Sequence, residues 1–153
     1  GASEPAISPD GKSVAFAGFP GGPDGQSDIY LVPIEGGAPV ALTATPDRRE
    51  IRPAYLPGGE LSWVLLRRDR RDPDQFLRQA AAGGIPAALV TSELSLDAVA
   101  ISRDGSRVAW IASRPADRDR AAREFTFQWR SLTGGAETSV RLLPGERITS
   151  PAF

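Results

Sequence analysis

The sequence predicts an all-β repeat protein made of three four-stranded antiparallel units. Two recurring landmarks and one apolar pattern carry that prediction. Gly11, Gly59 and Gly105 end similar short segments and lie 48 and 46 residues apart. A glycine pair follows each of them, at intervals of 47 and 51 residues: Gly36-Gly37, Gly83-Gly84 and Gly134-Gly135. Two separate landmarks with one period indicate internal repetition of a structural unit.

The first unit divides into four short strands, because apolar runs in it are bounded by Gly, Pro and Asp clusters. The predicted strands are Ala6-Ser8, Ser13-Ala17, Asp28-Ile34 and Val40-Thr43. In the turn before the second strand, an Asp side chain can bond the backbone and a Gly can take a positive φ. This structural turn role is assigned to five residues: Asp10, Gly11, Gly59, Asp104 and Gly105.

The second and third units are expected to repeat this strand order. Their later strands are predicted at Ser62-Leu66, Gln75-Ala80, Ala87-Val90, Arg107-Ala112, Phe125-Leu132 and Thr138-Leu142. The units then span about residues 4–43, 52–91 and 98–143, and a fourth repeat starts at 147–153.

The second strand of each unit is apolar on both faces and decides the architecture. These strands are Val14-Ala15-Phe16-Ala17, Trp63-Val64-Leu65-Leu66 and Val108-Ala109-Trp110-Ile111-Ala112. A strand in a two-layer sheet alternates, whereas a strand in a stack of sheets is buried on both sides. Four-stranded units of this length with apolar middle strands are typical of β-propeller blades. The sequence therefore predicts three blades, with Trp63 and Trp110 in their packed interior.

The residues of the first unit also carry a family resemblance. The segments Pro5-Ala6-Ile7-Ser8-Pro9-Asp10-Gly11-Lys12, Asp28-Ile29-Tyr30-Leu31 and Gly36-Gly37 resemble the TolB-type, WD40-like propeller repeat. The other units match less closely, since Gly58 stands in place of Asp10 and Arg103 in place of Pro9. The resemblance implies a six-bladed ring, and such repeats occur in periplasmic TolB, in prolyl-oligopeptidase-like enzymes and in sensor domains.

Three blades do not close a ring, so the outer faces of the first and last blades need partners. Further blades of a longer protein would cover them, an arrangement that the repeat start at 147–153 favours. Alternatively, two copies would close a six-bladed ring with two-fold symmetry. We expect self-association, because a soluble segment with exposed apolar faces should still associate.

The composition excludes several kinds of chemistry. The chain has no His and no Cys, which rules out within it a Ser-His-Asp triad, a Cys nucleophile and a disulfide. A near-balance of 18 basic and 19 acidic residues argues against nucleic-acid binding. No apolar run is long enough for membrane insertion. The sequence thus predicts no catalytic residue, no metal and no cofactor. A periplasmic or extracytoplasmic location is implied by the resemblance alone.

Long loops on one side of the predicted blades are the expected binding surface. They are Gly18-Ser27, Arg67-Asp74 and Ser113-Glu124, and the predicted blade-to-blade links Ala44-Arg52 and Ser92-Ala98 lie on the same side. Their arginines are predicted to contact an acidic protein or another anionic ligand: Arg67, Arg68, Arg70, Arg71, Arg118, Arg120 and Arg123. Local ion pairs on a solvated loop remain an alternative interpretation of the same charges.

The predicted function is therefore a non-enzymatic binding or scaffold module that acts in protein–protein interaction or sensing. One alternative is the gating propeller of a prolyl-oligopeptidase-like serine peptidase, whose catalytic residues would lie on another domain. Another is an isolated or engineered half-propeller that assembles with itself.

Overall fold

The computed structural model describes residues 1–20, 22, 25–67, 69, 72–115 and 123–141. Within them the chain forms three four-stranded sheets, each with its strands in sequence order. All pairings with a recorded strand register are antiparallel. The predicted all-β architecture of three four-stranded blades is confirmed. The proposed start of a fourth repeat at 147–153 lies outside the described residues.

The strand bounds define three blades. Blade 1 contains β1 Ala2–Ile7, β2 Ser13–Gly18, β3 Asp28–Pro33 and β4 Val40–Ala41. Blade 2 contains β5 Arg49–Tyr55, β6 Leu61–Leu66, β7 Asp74–Gln79 and β8 Ala87–Ser92. Blade 3 contains β9 Ser95–Ile101, β10 Arg107–Pro115, β11 Arg123–Ser131 and β12 Thr138–Arg141.

The chain divides into two compact units, Gly1–Thr91 and Ser92–Phe153. In the first unit, blades 1 and 2 pack face to face and form one apolar cluster. Blade 1 contributes small residues, Ala15 and Ala17, together with Ile29. Blade 2 contributes larger ones, among them Trp63 and Leu77. Small side chains on one sheet leave room for the indole of the other, so the two faces can pack closely.

A one-residue difference in turn length sets which residues face blade 1. In blade 1 the Ser8 amide donates to the Ser13 carbonyl, whereas in blade 2 the Leu56 amide donates to the Glu60 carbonyl. The shorter turn shifts the register of β6, so that Leu61 lies opposite Tyr55. Trp63 consequently takes the face that Phe16 takes in blade 1. Glycine spacing alone would have put Val64 at that position.

The inner strands of blades 1 and 2 carry matching backbone irregularities. Each has a register shift next to a proline, and Glu4 and Arg52, one residue before those prolines, both have a φ of 56°. The Arg52 amide donates to Glu4 Oε2 at 2.7 Å, and the two side chains form an ion pair at 3.9 Å. This left-handed conformation is strained for non-glycine residues, and the contact between equivalent positions holds both strands together.

Blade 3, described by itself, has a longer hairpin than the sequence indicated. The β10–β11 pairing continues to Pro115 opposite Arg123, so part of the predicted loop Ser113–Glu124 is strand. Opposite charges on Arg114 and Glu124 face each other across this extension and support it. Likewise β9 begins at Ser95, which shortens the link predicted at 92–98. On the middle strand, buried Trp110 donates its indole N–H to Gln128 Oε1 at 2.9 Å.

Over the described part of the chain, there is no helix long and apolar enough to cross a membrane.

We expect Trp63→Ala to lower the free energy of unfolding of the first unit by about 3–5 kcal/mol, because it empties the fully buried indole site between two sheets. Urea unfolding followed by far-UV circular dichroism measures the change. Ile85→Ala, at a side chain that is 94% exposed, is the control and should change stability by less than about 0.5 kcal/mol. Equal effects of the two substitutions would contradict the face-to-face packing of blades 1 and 2.

Candidate functional site

The side of the first unit that carries the blade 1 to blade 2 link is organised around a buried carboxylate. Glu50, at the start of β5, is 1% exposed. Thr45 donates its hydroxyl to Glu50 Oε1 at 2.8 Å, and Thr43 donates its hydroxyl to Oε2. The Thr43 hydroxyl also accepts from the Ile29 amide at 2.9 Å. The carboxylate therefore fixes the link from its first residues to the first strand of blade 2.

Burial raises the pKa of Glu50 above its ordinary value, because desolvation disfavours the charged form. The hydroxyls of Thr43 and Thr45 oppose that shift, and the negative charge of Asp28 adds to it. The Trp63 indole nitrogen makes no hydrogen bond to the described residues. It nevertheless lies near enough to the Glu50 carboxylate to lower the pKa of Glu50. Glu50 is thus a titratable group enclosed in the packed interface.

Backbone bonds beside Glu50 join the two blades directly. Ser27 and Arg49 form a parallel bridge. The Glu50 amide donates to the Ser27 carbonyl at 2.9 Å, and the Ser27 hydroxyl donates back to the Glu50 carbonyl at 2.8 Å. Asp28 Oδ1 accepts from the Thr45 amide at 3.1 Å. These contacts hold the end of the long loop after β2 against the link.

The two ends of the loop between β6 and β7 are held by two arginines. Asp74, buried at the start of β7, accepts on Oδ1 from both the backbone amide and Nε of Arg67, at 2.7 and 3.0 Å. Arg48 of the link reaches the same region, because its Nε donates at 2.8 Å to the carbonyl of Leu66, the last residue of β6. Its guanidinium also lies 3.8 Å from Asp72 Oδ2. The link and the loop are therefore one connected polar assembly, which we call the link-side platform: Ser27, Asp28, Thr43, Thr45, Arg48, Glu50, Arg67 and Asp74.

Two of the seven arginines predicted to contact a partner are in the described chain. Arg67 is bound to Asp74 and its side chain is 21% exposed. Arg123 lies in the other unit, where its guanidinium donates to the Ser113 hydroxyl and approaches Asp97 Oδ1 at 3.9 Å. The remaining five lie outside the described residues: Arg68, Arg70, Arg71, Arg118 and Arg120. Their role in binding stays a prediction.

Sequence reasoning missed Arg48 and Glu50, the residues that join the link to its neighbours. Both lie within 44–52, which the repeat pattern treated as a connecting segment. A signal was present, since a Thr-x-Thr run ahead of a Glu offers two hydroxyl donors to one carboxylate. The pattern could not show that the carboxylate is buried, because that depends on blade 2 packing over it.

The short turns before the middle strands have the chemistry expected of Asp turns. Ser8 and Ser102 each donate their hydroxyl to the Asp two residues later at 2.6 Å. The Ser8 hydroxyl lowers the pKa of Asp10, and the Ser102 hydroxyl lowers the pKa of Asp104 to about 2. The glycines that follow or close these turns all have positive φ: Gly11 at 70°, Gly59 at 83° and Gly105 at 71°. In these turns the two carboxylates are therefore hydrogen-bonded to the loop itself.

No group of three or more His, Cys, Asp or Glu in the described residues is placed to hold a metal ion.

Three four-stranded blades with Asp turns and inter-blade packing define a β-propeller segment of the TolB type. The chain belongs to the lipoprotein LpqB β-propeller domain family, whose family model matches residues 1–152. The resemblance seen in the repeat residues is confirmed. A search of curated proteins finds no match to the chain.

Solved structures share the fold at low identity. A protein assigned as TolB from Agrobacterium tumefaciens has a TM-score of 0.68 at 22% identity, covering 91% of this chain and 48% of that one. TolB from Acinetobacter baumannii has a TM-score of 0.56 at 20% identity, with coverages of 90% and 32%. A puromycin hydrolase has a TM-score of 0.53 at 14% identity, with coverages of 95% and 30%. The chain thus spans about half or a third of these proteins.

Glu50→Gln is expected to change how stability depends on pH. A raised pKa means that the folded protein binds the proton more tightly than the unfolded chain does. The native protein should therefore gain stability relative to Glu50→Gln as pH falls from 7 toward the ordinary glutamate pKa. Urea unfolding at several pH values in this range measures the difference between the two proteins. Glu60→Gln, at a partly exposed side chain, is the control. A difference independent of pH would contradict the burial of the Glu50 charge.

Ser102→Ala should raise the pKa of the Asp104 carboxyl from about 2 toward its ordinary value, because the hydroxyl is the main group that favours the carboxylate. NMR titration of the side-chain carboxyl carbon measures it. The ionised Asp104 stabilises the turn above the ordinary aspartate pKa. This stabilisation is lost as pH falls from that value through the lowered pKa of about 2, where the carboxylate becomes protonated. Ser8→Ala, in the equivalent turn of blade 1, should leave Asp104 unchanged; a shift there would refute a local cause.

Proposed function

We propose that the chain is a non-enzymatic β-propeller module that binds a protein partner on its link side. The observation that carries this proposal is the link-side platform. It holds the link and the two ends of the loop after β6 on the two-blade scaffold through bonds of Arg48, Glu50 and Asp74. Binding loops gain affinity when their conformation is set before the partner arrives.

The chemistry of the loops favours an acidic surface as the partner. The loop after β6 has four arginines in a row of eight residues, and Arg67 is already committed to Asp74. Arg68, Arg70 and Arg71 remain as candidates for paired bonds to carboxylates, for which the planar guanidinium is well suited. In the other unit, Arg118, Arg120 and Arg123 have the same candidate role. Exposed charges of this kind contribute more to association rate than to affinity.

The non-enzymatic assignment is supported by the lack of His and Cys in the sequence and by membership of a propeller domain family. The likeness to a puromycin hydrolase favours a second candidate, a propeller that accompanies a hydrolase domain. At 14% identity this likeness carries the fold and no catalytic residue, so it ranks second. The family description names a lipoprotein, which supports an extracytoplasmic location for the parent protein.

We propose that the outer face of blade 1 contacts a second copy of the chain. Phe16 and Tyr30 stack there with ring centroids 5.7 Å apart, and both remain partly exposed. Ile7 at the inner strand is 63% exposed. The equivalent face of blade 2 carries Trp63, which is fully buried against blade 1. By the logic of the repeat, another blade covers the Phe16 face, and a second copy of the chain can supply it.

An acidic octapeptide of glutamates tests the link-side site. Titrated into isotope-labelled protein at low salt, it should shift the NMR signals of residues 67–74 and lose affinity as salt is added. The triple change Arg68→Ser, Arg70→Ser and Arg71→Ser should weaken binding at least fivefold. Lys12→Ser, in the turn between β1 and β2 at the opposite end of the blade, is the matched control and should have no effect. Shifts confined to the turns at that end, or no shifts at all, would reject the link-side surface.

Solution mass tests the self-association separately. Light scattering across a hundredfold range of concentration should show a dimer. Phe16→Glu should convert the dimer to a monomer, because dimerisation would bury an unpaired carboxylate in the interface. Ile85→Glu, at an exposed turn, should leave the dimer intact. A native protein that is monomeric at every concentration would defeat self-association without affecting the octapeptide result.

A further inference from the structure

An open cleft of about 450 Å³ runs along the outer part of the first unit, between the end of blade 1 and strands β7 and β8 of blade 2. It exists because β4 is short. That strand spans only Val40–Ala41 and follows Pro39, which has no amide to extend the ladder. The neighbouring strand β8 has six residues, so part of β7 is left without cover from blade 1.

The cleft contains a buried amide side chain with no hydrogen bond in the structure. Gln79, the last residue of β7, is 6% exposed, and its side chain bonds to none of the described residues. Gln75 on the same strand also lines the cleft, and its side-chain amide is likewise unbonded among them. Gln75 is half-buried. Because neither amide is used in a hydrogen bond to the described residues, both are available to a ligand in the cleft.

The spacing of the two glutamines fits an extended peptide. They are four residues apart on one strand, so their side chains lie on the same face about 13 Å from one another. Leu77 lies between them on that face and offers an apolar contact. An extended peptide has the same repeat, and each of its peptide groups can donate to and accept from a glutamine amide. About four to five ligand residues span this distance.

The charge of the cleft sets the direction of the peptide. Among the described residues that line it, Glu50 carries the one charge and none is basic. Glu50 and Gln75 both lie opposite Leu65, on its two neighbouring strands, so the negative end of the cleft is the Gln75 end. The nearby charge of Asp28 adds to the negative potential there. A positively charged group is favoured at that end.

We propose that this cleft binds a short extended peptide, with its peptide groups bonded to Gln75 and Gln79 and an ammonium or basic side chain placed toward Glu50. The site lies between blades on the outer side of the first unit. The cleft shares Thr43, Thr45 and Glu50 with the link-side platform, and none of the described loop arginines lines it.

The test uses the pentapeptide Lys-Ala-Val-Ala-Ala amide and the full chain labelled with ¹⁵N. On addition of the peptide, the side-chain amide signals of Gln75 and Gln79 should shift in a saturable way. The same peptide with Glu in place of Lys should bind at least fivefold more weakly, because it meets the negative end of the cleft with a like charge. No shift at millimolar peptide, or shifts only outside the cleft, would overturn the proposal.

Three variants locate the binding. Gln79→Leu keeps the volume, removes the amide and should weaken binding at least tenfold. Ala88→Trp fills the cleft from an exposed position, leaves both glutamines in place and should abolish binding. Arg78→Gln changes the neighbouring residue on the other face of β7 and should leave affinity unchanged.

A small amine separates a peptide site from a site for cations alone. Butylamine should produce at most weak shifts, confined to the Glu50 end. If butylamine reproduced the full set of shifts with the affinity of the pentapeptide, the peptide assignment would be wrong. Unchanged peptide binding by both Gln79→Leu and Ala88→Trp would have the same consequence.

Discussion

Burial of one sheet face against the next is the constraint on which the first unit depends. A four-stranded sheet with two apolar faces is unstable in water unless both faces are covered. Trp63 against Ala15 and Ala17 shows how the cover works, because a large side chain on one blade fits the small ones on the other. Within the first unit, blades 1 and 2 each cover an apolar face of the other.

The same packing creates the polar chemistry of the link side. Closing blade 2 over the link removes Glu50 from water, and two threonine hydroxyls then satisfy its oxygens. Because an unpaired buried charge would be very costly, the link must hold the conformation that supplies those donors. Arg48 and Asp74 extend this network to the next loop. The conformation of the link thus follows from the requirement to satisfy buried groups.

The two proposed sites use different features of this frame. The proposed contact with an acidic surface uses the arginines of the loop sequences, whereas the proposed peptide site uses the glutamine amides of the cleft. The partly exposed Phe16 face is a third surface, and its proposed partner is a repeat of the same kind. The three proposals therefore concern different surfaces of the blades, two of which share the Glu50 region.

The sequence by itself determined the strand order, the repeat and the family, because apolar periodicity and Asp-Gly turns are local properties of the chain. It also assigned Trp63 and Trp110 to the interior. Only the tertiary structure decided that the shorter turn before β6 brings Trp63 to the face opposite blade 1. It likewise decided that Glu50 is buried and that Gln79 lines a cleft. Those features depend on which sheet faces pack against each other. Contacts between residues distant in sequence decide that packing, through the shapes of the side chains and the cost of removing polar groups from water.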